Sequence, residues 1–182
     1  LADAREMGKS TGIVVNTSIL DATPAAFYAH VPQRSQWEDI AVQLTQCNYD
    51  LLIGDGLKYF NQRTDSLDLT EVFTEKGYAF FDSPDALSIT QPEEKLLALA
   101  NFKEVLPGTV DNALTWLGQK ENPEGFFLMI EEARIDGHGH NNDVQGLIDE
   151  MEIMDKVMKV VLDYADAHPE TLVIITADHE TG

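Results

Sequence analysis

The sequence predicts an α/β fold built on a largely parallel sheet, and three observations carry that expectation. Strand-like and helix-like patterns alternate along the 182 residues, as they do when helices connect the strands of one sheet. "GFFLMIE" (125–131) is apolar without alternation, as in a strand covered on both faces. A long helical period then separates it from a second apolar run, "TLVIITAD" (171–178). Strand, helix, strand gives parallel strands joined by a right-handed crossover. A chain of this length is expected to bury one core in one domain.

Taken in order, "GIVVNTS" (12–18) reads as the first strand. It feeds "LDATPAAFYAHV", where Thr23 can N-cap a helix and Pro24 suits its first position; His30 falls at that helix's end. Ser35 and Glu38 have capping-box spacing ahead of a helix over "QWEDIAVQLTQ". "DLLIGDG" (50–56) is a strand ending in a glycine turn, and "LTEVFTEKG" a helix stopped by Gly77. "YAFFDS" and "KLLALA" are strand candidates, and "TVDNALTWLGQ" (109–119) is helical. From Val144 the apolar positions are Leu147, Ile148, Met151, Met154, Val157, Met158, Val161, Leu162 and Ala165. Steps of three and four mark a long amphipathic helix, with His168 capping its end before Pro169.

Charge narrows the function classes. Twelve Lys and Arg stand against 32 Asp and Glu, a net charge of −20. Nucleic-acid binding needs a basic face and is not expected; solubility and divalent cations are both compatible with so acidic a chain. No stretch approaches the roughly 20 apolar residues of a membrane span. The start, "LADAREMGKS", has neither an initiator Met nor a signal peptide's apolar core. Cys47 is the single cysteine, so a metal here would use imidazoles and carboxylates.

Those ligands gather at two expected strand ends, where sites of parallel sheets lie. "EEARIDGHGHNND" offers Glu131, Glu132, Asp136, His138 and His140 within ten positions. Asp136 and His140 can share one cation if the segment folds over, a donor mixture zinc accepts; a polar solvated loop, turning at Gly137 and Gly139, explains the same residues. Asp178 and His179 close the second apolar run. Asp21 and Thr23 are hard oxygen donors, explained equally by local capping or by magnesium binding with Glu131 as a third ligand.

Three separated motifs, "DATPAAFYAH" with Arg34 following, E-x4-D-x3-H at Glu131, Asp136 and His140, and "TADHETG", resemble those of the alkaline phosphatases. The resemblance runs the whole chain, firmest at both ends and loosest around 57–108. It implies a three-layer αβα domain with a largely parallel central sheet, and hydrolysis of phosphate monoesters through a phosphoseryl intermediate with two Zn²⁺ and one Mg²⁺. Asp21, Thr23 and Glu131 would ligate Mg²⁺. Asp136 and His140 would ligate the first zinc, and Asp178 and His179 the second. Arg34 would grip the phosphate with its planar fork, while His138 has no ligand role. Inorganic phosphate would bind at the same place, and alkaline pH is expected to favour metal binding through ligand deprotonation. The family is often dimeric, which leaves a homodimer open, and its bacterial members imply a periplasmic, extracellular or surface-associated setting.

The family's nucleophilic Ser lies upstream of "DATPAA" in a context that nothing from Leu1 to Leu20 matches; Ser10 and Ser18 are not nominated. A further Asp ligand before it and a His ligand beyond "TADHETG" are also unmatched. The chain is therefore expected to be an internal segment of one catalytic domain, cut at both ends, with impaired or absent activity alone. Two rivals stand beside this reading. One is another two-metal hydrolase of the same superfamily, a phosphodiesterase, sulfatase or phosphoglycerate-mutase-like enzyme; "DATPAA" with Arg34 favours the monoesterase. The other is a non-catalytic metal-binding fragment.

Overall fold

The structure is a computed structural model that describes residues 1–85, 95–120 and 122–181. Five strands form one sheet: β1 (Ser10–Ser18), β2 (Leu51–Asp55), β3 (Tyr78–Phe81), β4 (Lys95–Leu99) and β5 (Phe126–Glu131). Their order is β3-β4-β2-β1-β5, and every pairing is parallel. Each expected strand up to residue 131 is thus present, with boundaries shifted by a residue or two. The eight helices of the described residues are α1 (Ala2–Glu6), α2 (Ala22–Ala26), α3 (Trp37–Cys47), α4 (Lys58–Asn61), α5 (Leu69–Glu75), α6 (Leu106–Gln119), α7 (Arg134–His140) and α8 (Val144–Ala167). Among these, α1, α4 and α7 have no counterpart in the sequence reading.

Side chains alternate across each strand, and this sorts the core into two layers. Ile13, Val15, Leu52 and Leu97 pack with Ile40 and Leu44 of α3, Phe60 of α4 and Phe73 of α5. Val14, Leu51, Ile53 and Leu96 pack on the other side with Val110, Ala113 and Leu117 of α6 and Val157 of α8. Helices on both faces of a parallel sheet make the expected three-layer αβα architecture. The middle strands approach closely: a Cβ on Gly54 would lie 2.7 Å from Cγ2 of Val15 and 3.0 Å from the Ile19 amide nitrogen. No helix of the described residues is long and apolar enough to cross a membrane.

Several local expectations are corrected. Ser35 and Glu38 form no capping box: Gln36 caps α3 without a side-chain bond, and the Glu38 carboxylate accepts instead from the Thr64 amide and hydroxyl. Asp21, not Thr23, is the N-cap of α2, which ends at Ala26, so His30 lies past it and pairs with Gln43. His168 does close α8, its Nδ1–H donating to the Tyr164 carbonyl 2.8 Å away. The buried stripe of α8 is rotated from the expected one. Val157 is buried and Ile153, Met154, Val160, Val161 and Tyr164 pack onto the core, whereas Ile148, Met151 and Leu162 are exposed.

The largest difference is the run after α8. Residues 171–180 carry no strand ladder, and Leu172, Ile174 and Ile175 are exposed. An apolar run becomes a strand only when a neighbour takes up its N–H and C=O groups, and β5 pairs with β1 alone. The expected strand–helix–strand unit therefore has its first strand and helix but no return strand in the sheet.

Candidate metal centre

The strand order reverses between β1, which leads to β2 on one side, and β5 on the other. Ligands bind at such a switch point, outside the carboxyl ends of the strands. The register pairs Val15 with Glu131, so the last residue of β5 stands next to the end of β1, where Asp21 and Thr23 follow. Buried Asn16 of β1 ties this corner together. Its amide donates to Oε1 of Glu132 at 2.6 Å and its carbonyl oxygen accepts from the Ala133 amide at 3.0 Å.

An oxygen-rich group forms first. Asp21 sits at the N-cap with extended backbone, and its carboxylate makes no capping bond. Thr23, the second residue of α2, turns its hydroxyl to Glu131. Burial pushes the Glu131 carboxyl up to about 7, against the Thr23 hydrogen bond, and the charges of Asp21, Asp178 and Glu132 push the same way. Its Oε2 is buried with no hydrogen-bond partner. Burial also raises Asp21, while the nearby Arg34 guanidinium draws it down. Arg34 itself is exposed, in the turn that precedes α3.

The second group mixes nitrogen and oxygen. "RIDGHGH" is not a loop but α7, so Asp136 and His140 stand one turn apart on a shared face, with Nε2 of His140 3.3 Å from Oδ1 of Asp136. Gly137 and Gly139 are helical, not turn residues. Gly139 earns its place by proximity: a Cβ there would lie 2.4 Å from Oγ1 of Thr181, so the final segment can lie against α7. That brings Nε2 of His179 to 3.7 Å from Oδ1 of Asp136. The ligand atoms of Asp136, His140 and His179 lie within 4.8 Å of one another. Oδ1 of Asp136 is buried and has no hydrogen-bond partner. A hydrogen bond at the Glu180 carbonyl, then the charges of Asp178 and Asp136, raise the His179 pKa.

Of the residues expected to bind metal or phosphate, Asp136, His140 and His179 come together, Thr23 bonds Glu131 under the charges of Asp21 and Asp178, and the charge of Arg34 reaches Asp21. His179 bridges the two groups: its Nε2 lies 3.6 Å from Oδ2 of Asp178 and 3.7 Å from Oδ1 of Asp136, while the charge of Asp178 also acts on Glu131. Both groups pass a test of fit. Each presents a buried carboxylate oxygen without a hydrogen-bond partner, flanked by other donors, and such an atom is costly unless something positive meets it. Asp21, Glu131 and the Thr23 hydroxyl are oxygen donors of the kind a hard cation takes; two imidazoles and a carboxylate suit zinc. Sequence reasoning passed over Asn16, Arg134 and Glu150. Asn16 interrupts an apolar strand, and Glu150 falls on the stripe of Met154 and Val157, so a polar residue in an apolar pattern was the available signal.

Residues 1–182 match, without remainder, the family model described as alkaline phosphatase. The chain belongs to the alkaline phosphatase family. It is 33% identical to alkaline phosphatase 4 of Bacillus subtilis across its whole length, covering 42% of that protein. Repressible alkaline phosphatase of Saccharomyces cerevisiae is 30% identical over the whole chain, which covers 40% of it. The alkaline phosphatase of the Antarctic bacterium TAB5 superposes with a TM-score of 0.88 at 32% identity, over 98% of this chain and 55% of that one. A variant of the TAB5 enzyme with Mg bound in its M3 site gives 0.87 at 32% identity, over 98% and 54%. The chain spans about two fifths of the length of these curated alkaline phosphatases.

Proposed function

We propose that this chain forms part of the single catalytic domain of a metal-dependent phosphate monoesterase. The observation that carries the reading is the gathering of two donor groups, each holding a buried carboxylate oxygen without a hydrogen-bond partner, at the carboxyl edge of β1 and β5. Asp21, Thr23 and Glu131 would hold Mg²⁺, a reading supported by the Mg-bound relative. Asp136 and His140 would hold one Zn²⁺, and Asp178 and His179 a second, with His179 near enough to Asp136 to serve either. Bound cations supply neutralising charge and lower the pKa of an attacking oxygen.

The chain's own residues do the rest. Arg34, whose charge reaches Asp21, would hold the phosphate of a monoester or of inorganic phosphate through two parallel N–H donors. A phosphoseryl intermediate would need a serine from outside the described group. The Ser10 hydroxyl accepts from Asn122 and the Ser18 hydroxyl from the Leu20 amide. The 182 residues alone are therefore proposed to turn over poorly. The net charge supports substrates that are small molecules and not nucleic acids. A homodimer and a periplasmic, extracellular or surface-associated setting belong to the same proposal.

The test is a rate profile with Zn²⁺ and Mg²⁺ at about pH 9–10, where ligands are deprotonated, using chromogenic monoester, diester and sulfate ester substrates. The full-length protein is expected to favour the monoester, and the 182 residues to show little turnover. Preference for the diester or sulfate by the full-length protein, or strong turnover by the 182 residues, overturns the reading.

A further inference from the structure

We propose that Glu150 of α8 is a positioning residue that clamps α7 so that Asp136 and His140 face the metal centre. The inference rests on reading those two residues as metal ligands. α7 has seven residues, two of them glycine, and so short and glycine-rich a helix has little stability of its own. Residues two apart on a helix point in nearly opposite directions, and residues four apart share a face. Asp136 and His140 therefore take one face, and Arg134 and His138 the other.

That second face is bound to α8. Nε of Arg134 donates to Oε1 of Glu150 at 2.7 Å, and Nε2 of His138 lies 3.7 Å from the same oxygen. Nδ1 of His138 lies 2.9 Å from Oδ2 of Asp143, the N-cap of α8. Room for that ring comes from Gly146, where a Cβ would lie 2.1 Å from Nδ1 of His138. Glu150 is the one carboxylate among the buried side chains of the described residues, at 3% exposure. Its other oxygen, Oε2, is buried without a hydrogen-bond partner, so its polar contacts run through Oε1 to α7. A buried carboxylate needs compensation, and here the compensation is entirely a bond to the ligand-bearing helix. At the helix start, Glu132 accepts from the Arg134 and Ile135 amides, which holds the backbone of the first turn while Glu150 holds the side chains of Arg134 and His138.

The role separates from ordinary stability because a buried ion pair can be exchanged for apolar residues of like volume without loss of folding. The double variant Glu150→Leu/Arg134→Met is expected to keep the melting temperature of the metal-free chain. It is expected to bind Co²⁺, followed by its absorption bands, about 10–100-fold more weakly, the range typical of outer-shell changes. Amide exchange at Asp136–His140, measured without metal, should accelerate while the core strands stay protected. If the double variant does not fold, Glu150→Gln is read in its place, with Co²⁺ binding about 10-fold weaker and the same local exchange. Co²⁺ affinity within about two-fold of wild type in a folded variant, or unchanged exchange in α7, overturns the clamp. An Asp136→Asn chain that binds Co²⁺ as wild type does overturns the metal reading, and the positioning role with it; the metal-free exchange tells the two failures apart.

Discussion

Glu131 makes a prediction whose sign is not the usual one for an acid. Its carboxyl is pushed from an ordinary 4.5 to about 7, chiefly by burial. Between those two pH values the folded chain keeps a proton that the unfolded chain has released. The folded state is therefore favoured at the acid end, and the contribution is lost as pH rises through the window, wholly so above about 7. At about 1.4 kcal/mol per tenfold change in acidity the full effect is about 3 kcal/mol. Residual contact with solvent trims it, so about 1–3 kcal/mol is the expected range. In a protein of this size each kcal/mol moves Tm by about 2–4 °C.

The perturbation is Glu131→Gln, which keeps the shape and an acceptor for the Thr23 hydroxyl but carries no charge to bury. In EDTA, wild type is expected to lose about 3–10 °C between about pH 5 and pH 8 relative to the variant. Thermal melts of both chains across that range measure it. Mg²⁺ should then return the loss to wild type, because a cation that binds only the folded chain stabilises it in proportion to its occupancy; the variant should respond weakly. Parallel pH curves for the two metal-free chains would refute the reasoning, since they would mean that Glu131 carries no buried charge for a cation to meet.

Three further outcomes follow from particular contacts. Arg34→Ala in the full-length enzyme should weaken inhibition by inorganic phosphate about 10–100-fold, the worth of one charge-assisted pair; an inhibition constant within a factor of about two of wild type would contradict a phosphate grip. Gly139→Ala puts a methyl 2.4 Å from Oγ1 of Thr181, so the last segment must move and Co²⁺ bands should resemble those of His179→Ala; bands like wild type would mean His179 holds no metal with Asp136. Gly54→Val meets Val15 and the Ile19 backbone, and urea unfolding should show a loss of about 1–3 kcal/mol from overpacking, against no change if the strands can part.

What could be read from sequence, and what could not, divides along a physical line. β1 and β2 were legible because strands buried on both faces announce themselves as unbroken apolar runs, and α8 because its period is long; β5 carries the same kind of run but is an edge strand, with Met129 buried and Phe127 exposed, not the strand covered on both faces that its sequence suggests. "TLVIITAD" has the same kind of run, yet being a strand depends on a partner, and periodicity carries no information about partners. α7 fails in the opposite direction. Two glycines in seven residues speak against a helix, and the helix exists because Glu132 takes its first amides and Glu150 takes Arg134 from behind. The ligand types were visible in the motifs, but not the approach of His179 to Asp136, which comes through the packing of the terminal segment on Gly139. Residue chemistry is local and survives in the string; the company a residue keeps is decided by side chains far along the chain. Arg134, His138 and Glu150 show why this matters for the site. No ligand motif includes Glu150, yet the direction in which Asp136 and His140 point depends on an acid ten positions beyond the last of them.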